Sequence, residues 1–309
     1  MIERLAEWQR VPPTARPAAR HLLRWVPRVV LLGSAAVMAS LVWRQLPAVA
    51  SALAASRWEL DGAALLLILL SNLVAGAFWH AVLTACGGSI GRREALVAWL
   101  LSSVAKYGLG AVTQYASRIY LSGATARGRS GLLGVGLELG LIALSGGVVV
   151  LALGGFVAAG PLLAAALLAA FLVAAQRLGR ATPIALALGC AFVNWLLYGA
   201  ALWLLVAAVE PVEPALFPAV LAAMALATLA GLVALTPFGL GVRDVALTLL
   251  LAPHVGLPAA TSAALVHRLW TVVAELAGGG LGLLLRSSSA PLASVHDAGA
   301  GAGVEAKLP

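Results

Sequence analysis

Apolar residues run through this chain in long unbroken blocks, and polar residues gather in the gaps between them. The blocks extend from Val29 to about Trp43, from about Leu60 to Cys86, and over residues 131–154, 156–175, 182–208, 214–235 and 257–285. A run of about 20 apolar residues crosses roughly 30 Å of hydrocarbon as a helix, whose backbone groups satisfy one another. A membrane barrel would instead alternate in short strands. The pattern predicts an all-α, polytopic transmembrane helical bundle with about seven full spans.

Two segments interrupt the pattern. Residues 87–130 are only patchily apolar and carry Arg92, Arg93, Lys106, Arg118, Arg127 and Arg129. Within them Glu94 to Tyr107 predicts a helix of about 14 residues, or about 21 Å, too short for a comfortable crossing. Residues 236–253, TPFGLGVRDVALTLLLAP, hold a second apolar run of about a dozen residues that starts after Gly241. Both segments contain Gly-Leu-Gly, at Gly108-Leu109-Gly110 and at Gly239-Leu240-Gly241. Paired short, glycine-broken segments in the two halves of a chain point to a site built from half-helices, so both are expected to dip into the membrane or break.

Composition agrees with the pattern. Of the 309 residues 62% are hydrophobic and 10% charged, far below the roughly 25% charge of a soluble domain, which leaves no room for a large soluble unit. The net charge of +8 does not point to nucleic acid, because most basic residues sit in short loops between apolar blocks. Positive-inside topology accounts for them: the arginine-rich stretch 1–28 and the loops around 92–129 and 177–180 are expected in the cytoplasm, and Glu210 and Glu213 outside. This predicts a multi-pass protein of the cell membrane, inner or plasma, with its N-terminus inside. The segment AVASALAAS (48–56) resembles a small-residue cleavage site, but the region ahead of it is too long for a signal peptide. Residues 1–28 form a basic N-terminal segment, 29–286 the membrane domain, and 287–309 a small, polar tail expected to be disordered. Cys86 and Cys190 have no metal-ligand spacing, and no cofactor or metal is expected.

Ionisable residues inside the apolar parts are the candidates for chemistry: Lys106, Arg118, Glu138, Arg243, Asp244, His267, Arg268 and Glu275. A charge at the centre of an isolated span costs roughly 2.5–3.5 kcal/mol on insertion scales, so these residues must face protein, water or a polar ligand. Arg268 and Glu275, seven apart, share one helix face, with His267 rotated by about 100°. Arg243 falls in the first turn of a helix, where the dipole already favours an anion. Asp244 suits the same turn as a capping acid. For Glu138 and Glu275, pairing between helices and a functional role are both open.

Thr236-Pro237-Phe238-Gly239-Leu240-Gly241-Val242-Arg243-Asp244 resembles the P-G-G-x-G-x-R-E signature of the lysylphosphatidylglycerol synthase transmembrane, or flippase-like, family. Lys106-Tyr107-Gly108-Leu109-Gly110, followed by Ser117-Arg118, is similar to that family's other signature, K-Y-x-P-G with a downstream Gly/Ser-Arg. Glu138 and Arg268 also fall where the family has a glutamate and an arginine, and the resemblance spans about residues 30–285. Leu109 replaces a proline, Phe238 a glycine, and Asp244 the usual glutamate. The resemblance implies movement of an anionic or polyprenyl-linked (glyco)lipid between leaflets, or service to a separate lipid-modifying enzyme. Together with Glu275 from the last block, it gives a candidate substrate-binding set of Lys106, Tyr107, Gly110, Arg118, Glu138, Gly239, Gly241, Arg243, Asp244, Arg268 and Glu275.

Lys106, Arg118 and Arg243 would contact phosphate, with Asp244 and Glu138 orienting them or releasing the ligand, and the expected partner is a membrane lipid with a phosphate head group. A second copy of the chain is an open partner. Two other classes compete: a polyprenyl-phosphate-dependent glycosyltransferase using Glu59 or Asp61 as a base, and an ion-coupled carrier of a small anion with Glu138 or Glu275 as proton carrier. For the first, helix capping explains both acids, and the larger external loops of an enzyme are missing. The chain also ends too soon after its last block to carry the aminoacyl-transferase domain of a lipid synthase.

Overall fold

The computed structural model describes residues 56–123, 128–155, 157–233 and 242–287, with isolated positions between residues 47 and 54. The expected span at 29–43, the basic segment 1–28, Gly239, Gly241 and the tail after Ser287 lie outside the described residues. Among the described residues the chain forms nine α-helices and no strand. These are α1 (Trp58–Ala85), α2 (Arg92–Leu109), α3 (Ala111–Leu121), α4 (Arg129–Leu153), α5 (Gly160–Arg177), α6 (Ala181–Val209), α7 (Phe217–Val233), α8 (Val242–Val255) and α9 (Leu257–Ser287). A short 3-10 turn, Pro214–Leu216, leads into α7.

Six helices are long and apolar enough to span a membrane: α1, α4, α5, α6, α7 with its 3-10 turn, and α9. They coincide with six of the seven expected blocks. The block expected at 156–175 begins later, at Gly160, because a turn precedes it and Pro161 supplies the fixed φ suited to a first helical turn.

Antiparallel α1 and α6 make the most extensive helix contact. Small residues let them approach: Ala64 and Ile68 of α1 meet Ala201 and Leu205 of α6, with Val266 and Ala274 of α9 closing the cluster. In lipid such close packing replaces the hydrophobic effect as the force that joins helices. Large apolar side chains point outward instead, among them Leu66 and Leu70 on α1, Leu162 and Leu167 on α5, and Leu283 and Leu284 on α9.

The α1–α6 pair also divides the bundle into two chemically distinct ends. At one, the Arg57 N–H donates to the carbonyl of Ala208, and its guanidinium donates to that of Ala207. Glu59, Asp61, Glu210 and Glu213 gather there. At the other, the Arg180 guanidinium donates to the carbonyl of Ala85, where α1 ends. Arg93 donates to the Leu285 carbonyl at 2.6 Å and so brings the start of α2 beside the end of α9. Gly134 of α4 packs on Leu83, which places Arg129 at the same end with Arg92, Arg93, Arg177 and Arg180.

Helices α2 and α3 form a hairpin that enters and leaves at this basic end. The chain reverses at Gly110, whose φ of 71° and ψ of −143° suit glycine alone. Arg118, eight residues past the turn, donates from Nε to the hydroxyl of Ser102, eight residues before it, at 2.9 Å. Such symmetric pairing requires the two helices to lie antiparallel, side by side. The start of α2 is set by Gly91, whose N–H donates to Glu94 Oε2 at 3.2 Å. Its outer face seats on α9 where Gly278, Gly279 and Gly282 remove the side chains that would keep Leu100, Leu101 and Val104 away.

Helices α7 and α8 also run antiparallel. Val220 of α7 and Leu251 of α8 share one apolar cluster, and at the other end Gly231 approaches Arg243 so closely that an added Cβ would lie 3.2 Å from the arginine Cβ. At 14 residues, or about 21 Å, α8 is too short to cross.

Candidate functional site

The start of α8 and the tip of the α2–α3 hairpin approach one another inside the bundle, against the middle of α1 and α6. Between them lies a cavity of about 240 Å³. Four of the charged residues expected from the sequence line it: Lys106, Glu138, Arg243 and Glu275. They come from four elements, α2, α4, α8 and α9.

Each carboxylate already has a cation. The Lys106 ammonium pairs with Glu275 Oε1, and the Tyr107 hydroxyl donates to Oε2 of the same carboxylate at 2.6 Å. Both oxygens of Glu275 are thereby engaged by α2. Arg118 donates from Nη1 to Glu138 Oε1 at 2.5 Å, and both side chains are essentially sealed from solvent, at 0% and 2% exposure. The Arg118 guanidinium lies 3.7 Å from the ring centre of Trp99, with Trp79 and Tyr115 at 5.6 Å and 5.5 Å, an aromatic cage of the cation–π kind. It sits behind Glu138 and does not line the cavity, so it is not placed where the phosphate contact expected of it could be made.

Arg243 differs from both. Among the described residues no carboxylate lies within ion-pairing distance of it. Its Nη2 reaches His267 Nδ1 at 3.4 Å and the sulfur of Met224 at 3.7 Å, and its Nε is buried without a hydrogen-bond partner. A guanidinium only donates, so Nδ1 of His267 accepts and the imidazole proton sits on Nε2. The position of Arg243 in the first turn of α8 adds backbone N–H groups that a helix leaves unsatisfied internally.

The remaining expected residues are distributed around this centre. Gly110 forms the hairpin turn, and Asp244 follows Arg243 in the first turn of α8. Arg268, on α9, stands close enough to Lys106, Tyr107 and Arg243 to add to their field without lining the cavity. Glu59 and Asp61 occupy the first turn of α1, at the acidic end and outside the cavity lining.

The sequence reading missed the neutral polar wall. Asn72 of α1 and Asn194 of α6 lie near the midpoints of their helices and line the cavity with Ser71, Gln114 and Tyr198. Ser71 donates to Asn194 Oδ1 at 2.6 Å, and Asn72 Nδ2 donates to the Ile68 carbonyl at 3.2 Å. An amide in mid-span, where only a partner or a cavity offsets its burial, was the available signal.

The arrangement is a cavity of mixed polar and apolar lining in an apolar bundle, just under the roughly 300–1,000 Å³ of drug-sized pockets. Among the described residues that line it, Arg243 is the cation with no carboxylate in ion-pairing distance, and Glu138 and Glu275 are held in internal pairs. Comparison with known proteins finds no matching family, no matching curated protein and no matching solved structure.

Proposed function

We propose that this chain is a membrane lipid transporter of the flippase-like kind, moving an anionic or polyprenyl-linked (glyco)lipid between leaflets, with the lipid phosphate held at Arg243. The observation that carries the proposal is the guanidinium of Arg243, which lines the cavity with its Nε buried and unpartnered and no carboxylate within ion-pairing distance among the described residues. A buried charge is expensive unless paired, and the planar fork of an arginine matches two phosphate oxygens. Lys106, at the hairpin tip, supplies a second cation once its pair with Glu275 opens. The similarity of Lys106–Gly110 and Thr236–Asp244 to the two flippase-like signatures supports the same reading.

The test is movement of head-group-labelled lipid in proteoliposomes. Arg243→Ala should abolish it at matched protein levels, and Arg243→Lys should restore only part, because an ammonium lacks the fork. Transport by Arg243→Ala equal to that of the unchanged protein would reject the binding role.

A further inference from the structure

The cavity wall beyond Arg243 says what accompanies the phosphate. We propose that the bound head group is a glycosyl phosphate, a neutral hydroxyl-rich unit joined to the phosphate, and not an aminoacyl or other cationic group. The inference rests on the phosphate reading of Arg243 and names the chemistry next to it.

Charge decides against a cation. An aminoacyl head group brings an ammonium that needs a carboxylate once it leaves water. The two carboxylates in the wall are Glu275, held on both oxygens by Lys106 and Tyr107, and Glu138, held on Oε1 by Arg118. A cationic ligand would have to take one of them and strand the half-buried Lys106 or the buried Arg118 in its place. Around the cavity the four cations Lys106, Arg118, Arg243 and Arg268 outnumber the three carboxylates Glu138, Asp244 and Glu275 by one, which suits the single negative charge of a phosphodiester.

Hydrogen-bonding capacity decides for hydroxyls. Asn194 has its Oδ1 taken by Ser71, so its amide N–H groups remain to donate. Asn72 spends its amide nitrogen on the Ile68 carbonyl, so its Oδ1 remains to accept. Glu138 Oε2 is buried and has no hydrogen-bond partner. One donor and two acceptors along one wall match a ring of hydroxyls, each of which both donates and accepts. Trp195, also in the lining and outside the Arg118 cage, provides an apolar surface against which the C–H side of a sugar ring packs. A site whose buried polar groups await hydroxyls discriminates strongly against ligands that lack them.

The experiment titrates the purified full-length chain in detergent, followed by the fluorescence of its tryptophans, with inorganic phosphate, a hexose 1-phosphate, a short-prenyl phosphohexose and the lysyl ester of glycerophosphate. Hexose 1-phosphate should bind at least about tenfold more tightly than inorganic phosphate or the lysyl ester. Asn194→Ala and, separately, Gln114→Ala should narrow that ratio; neither the Gln114 amide nor the Asn194 amide nitrogen has a described side-chain bond to lose. A further gain from the prenyl tail assigns the ligand to a lipid, and no gain assigns it to a soluble sugar phosphate. Equal affinity for phosphate and hexose phosphate, or preference for the lysyl ester, overturns the glycosyl proposal and leaves the phosphate reading standing. Absence of binding by every phosphate ligand removes both.

Discussion

Arg118 and Arg243 each lie shortly after a Gly-Leu-Gly in one of the two short segments, and the fold treats them oppositely. Arg118 is enclosed by aromatic rings and paired with Glu138, while Arg243 faces a cavity and, among the described residues, has a histidine and a methionine within hydrogen-bonding reach of its guanidinium. Stability should separate them. Arg118→Ala strands the buried Glu138 carboxylate and should cost about 3–5 kcal/mol, read as a fall in the unfolding midpoint of the detergent-solubilised protein. Arg243→Ala removes a cation with no carboxylate partner, so its stability should change little or rise. An equal, large loss in both would make Arg243 a structural residue. Nothing in the spacing of Arg118 and Glu138, twenty residues apart on different helices, announces their pairing. It depends on α3 folding back along α2, and the cage residues Trp79 and Trp99 read in the sequence as ordinary apolar positions.

The helical hairpin is the element most legible in advance and also the one most dependent on a single residue. The glycines and the shortness of the apolar run mark where the chain breaks, and the reversal falls at Gly110. What they leave unread is the direction of return, which follows from tertiary contacts: α2 on the glycine-lined face of α9, and α3 on α2. Gly110→Ala places a side chain at a positive φ and should cost about 1–3 kcal/mol while weakening ligand binding through Lys106 and Tyr107. Gly62→Ala, in the first turns of α1 with nothing within 4 Å of its added Cβ, should be neutral or stabilising by up to about 1 kcal/mol. Melting curves of the two variants that coincide would show that the turn carries no such requirement. The second Gly-Leu-Gly lies outside the described residues, and only the helix that follows it, with Arg243 in its first turn, is in view.

Over the whole molecule, the apolar blocks made six spanning helices readable, because length and hydropathy are local properties. The cavity was only half readable: its charged residues are conspicuous, but Asn72, Asn194 and Tyr198 gain meaning only when α1 and α6 are packed. The separation of charge between the two ends is likewise a property of the assembled bundle, and the positive-inside rule predicts an orientation from it. With the basic end in the cytoplasm, a label confined to the outside should reach Glu213→Cys and not Leu178→Cys in a background lacking Cys86 and Cys190. Labelling of Leu178→Cys alone would invert the arrangement. The central claim, that an unpaired Arg243 holds the phosphate of a lipid inside the bundle, is tested most directly by native mass spectrometry of the gently purified protein. The unchanged chain should carry a phosphate-bearing lipid that Arg243→Ala has lost, whereas equal retention by the two proteins, or a retained lipid without phosphate, would contradict it.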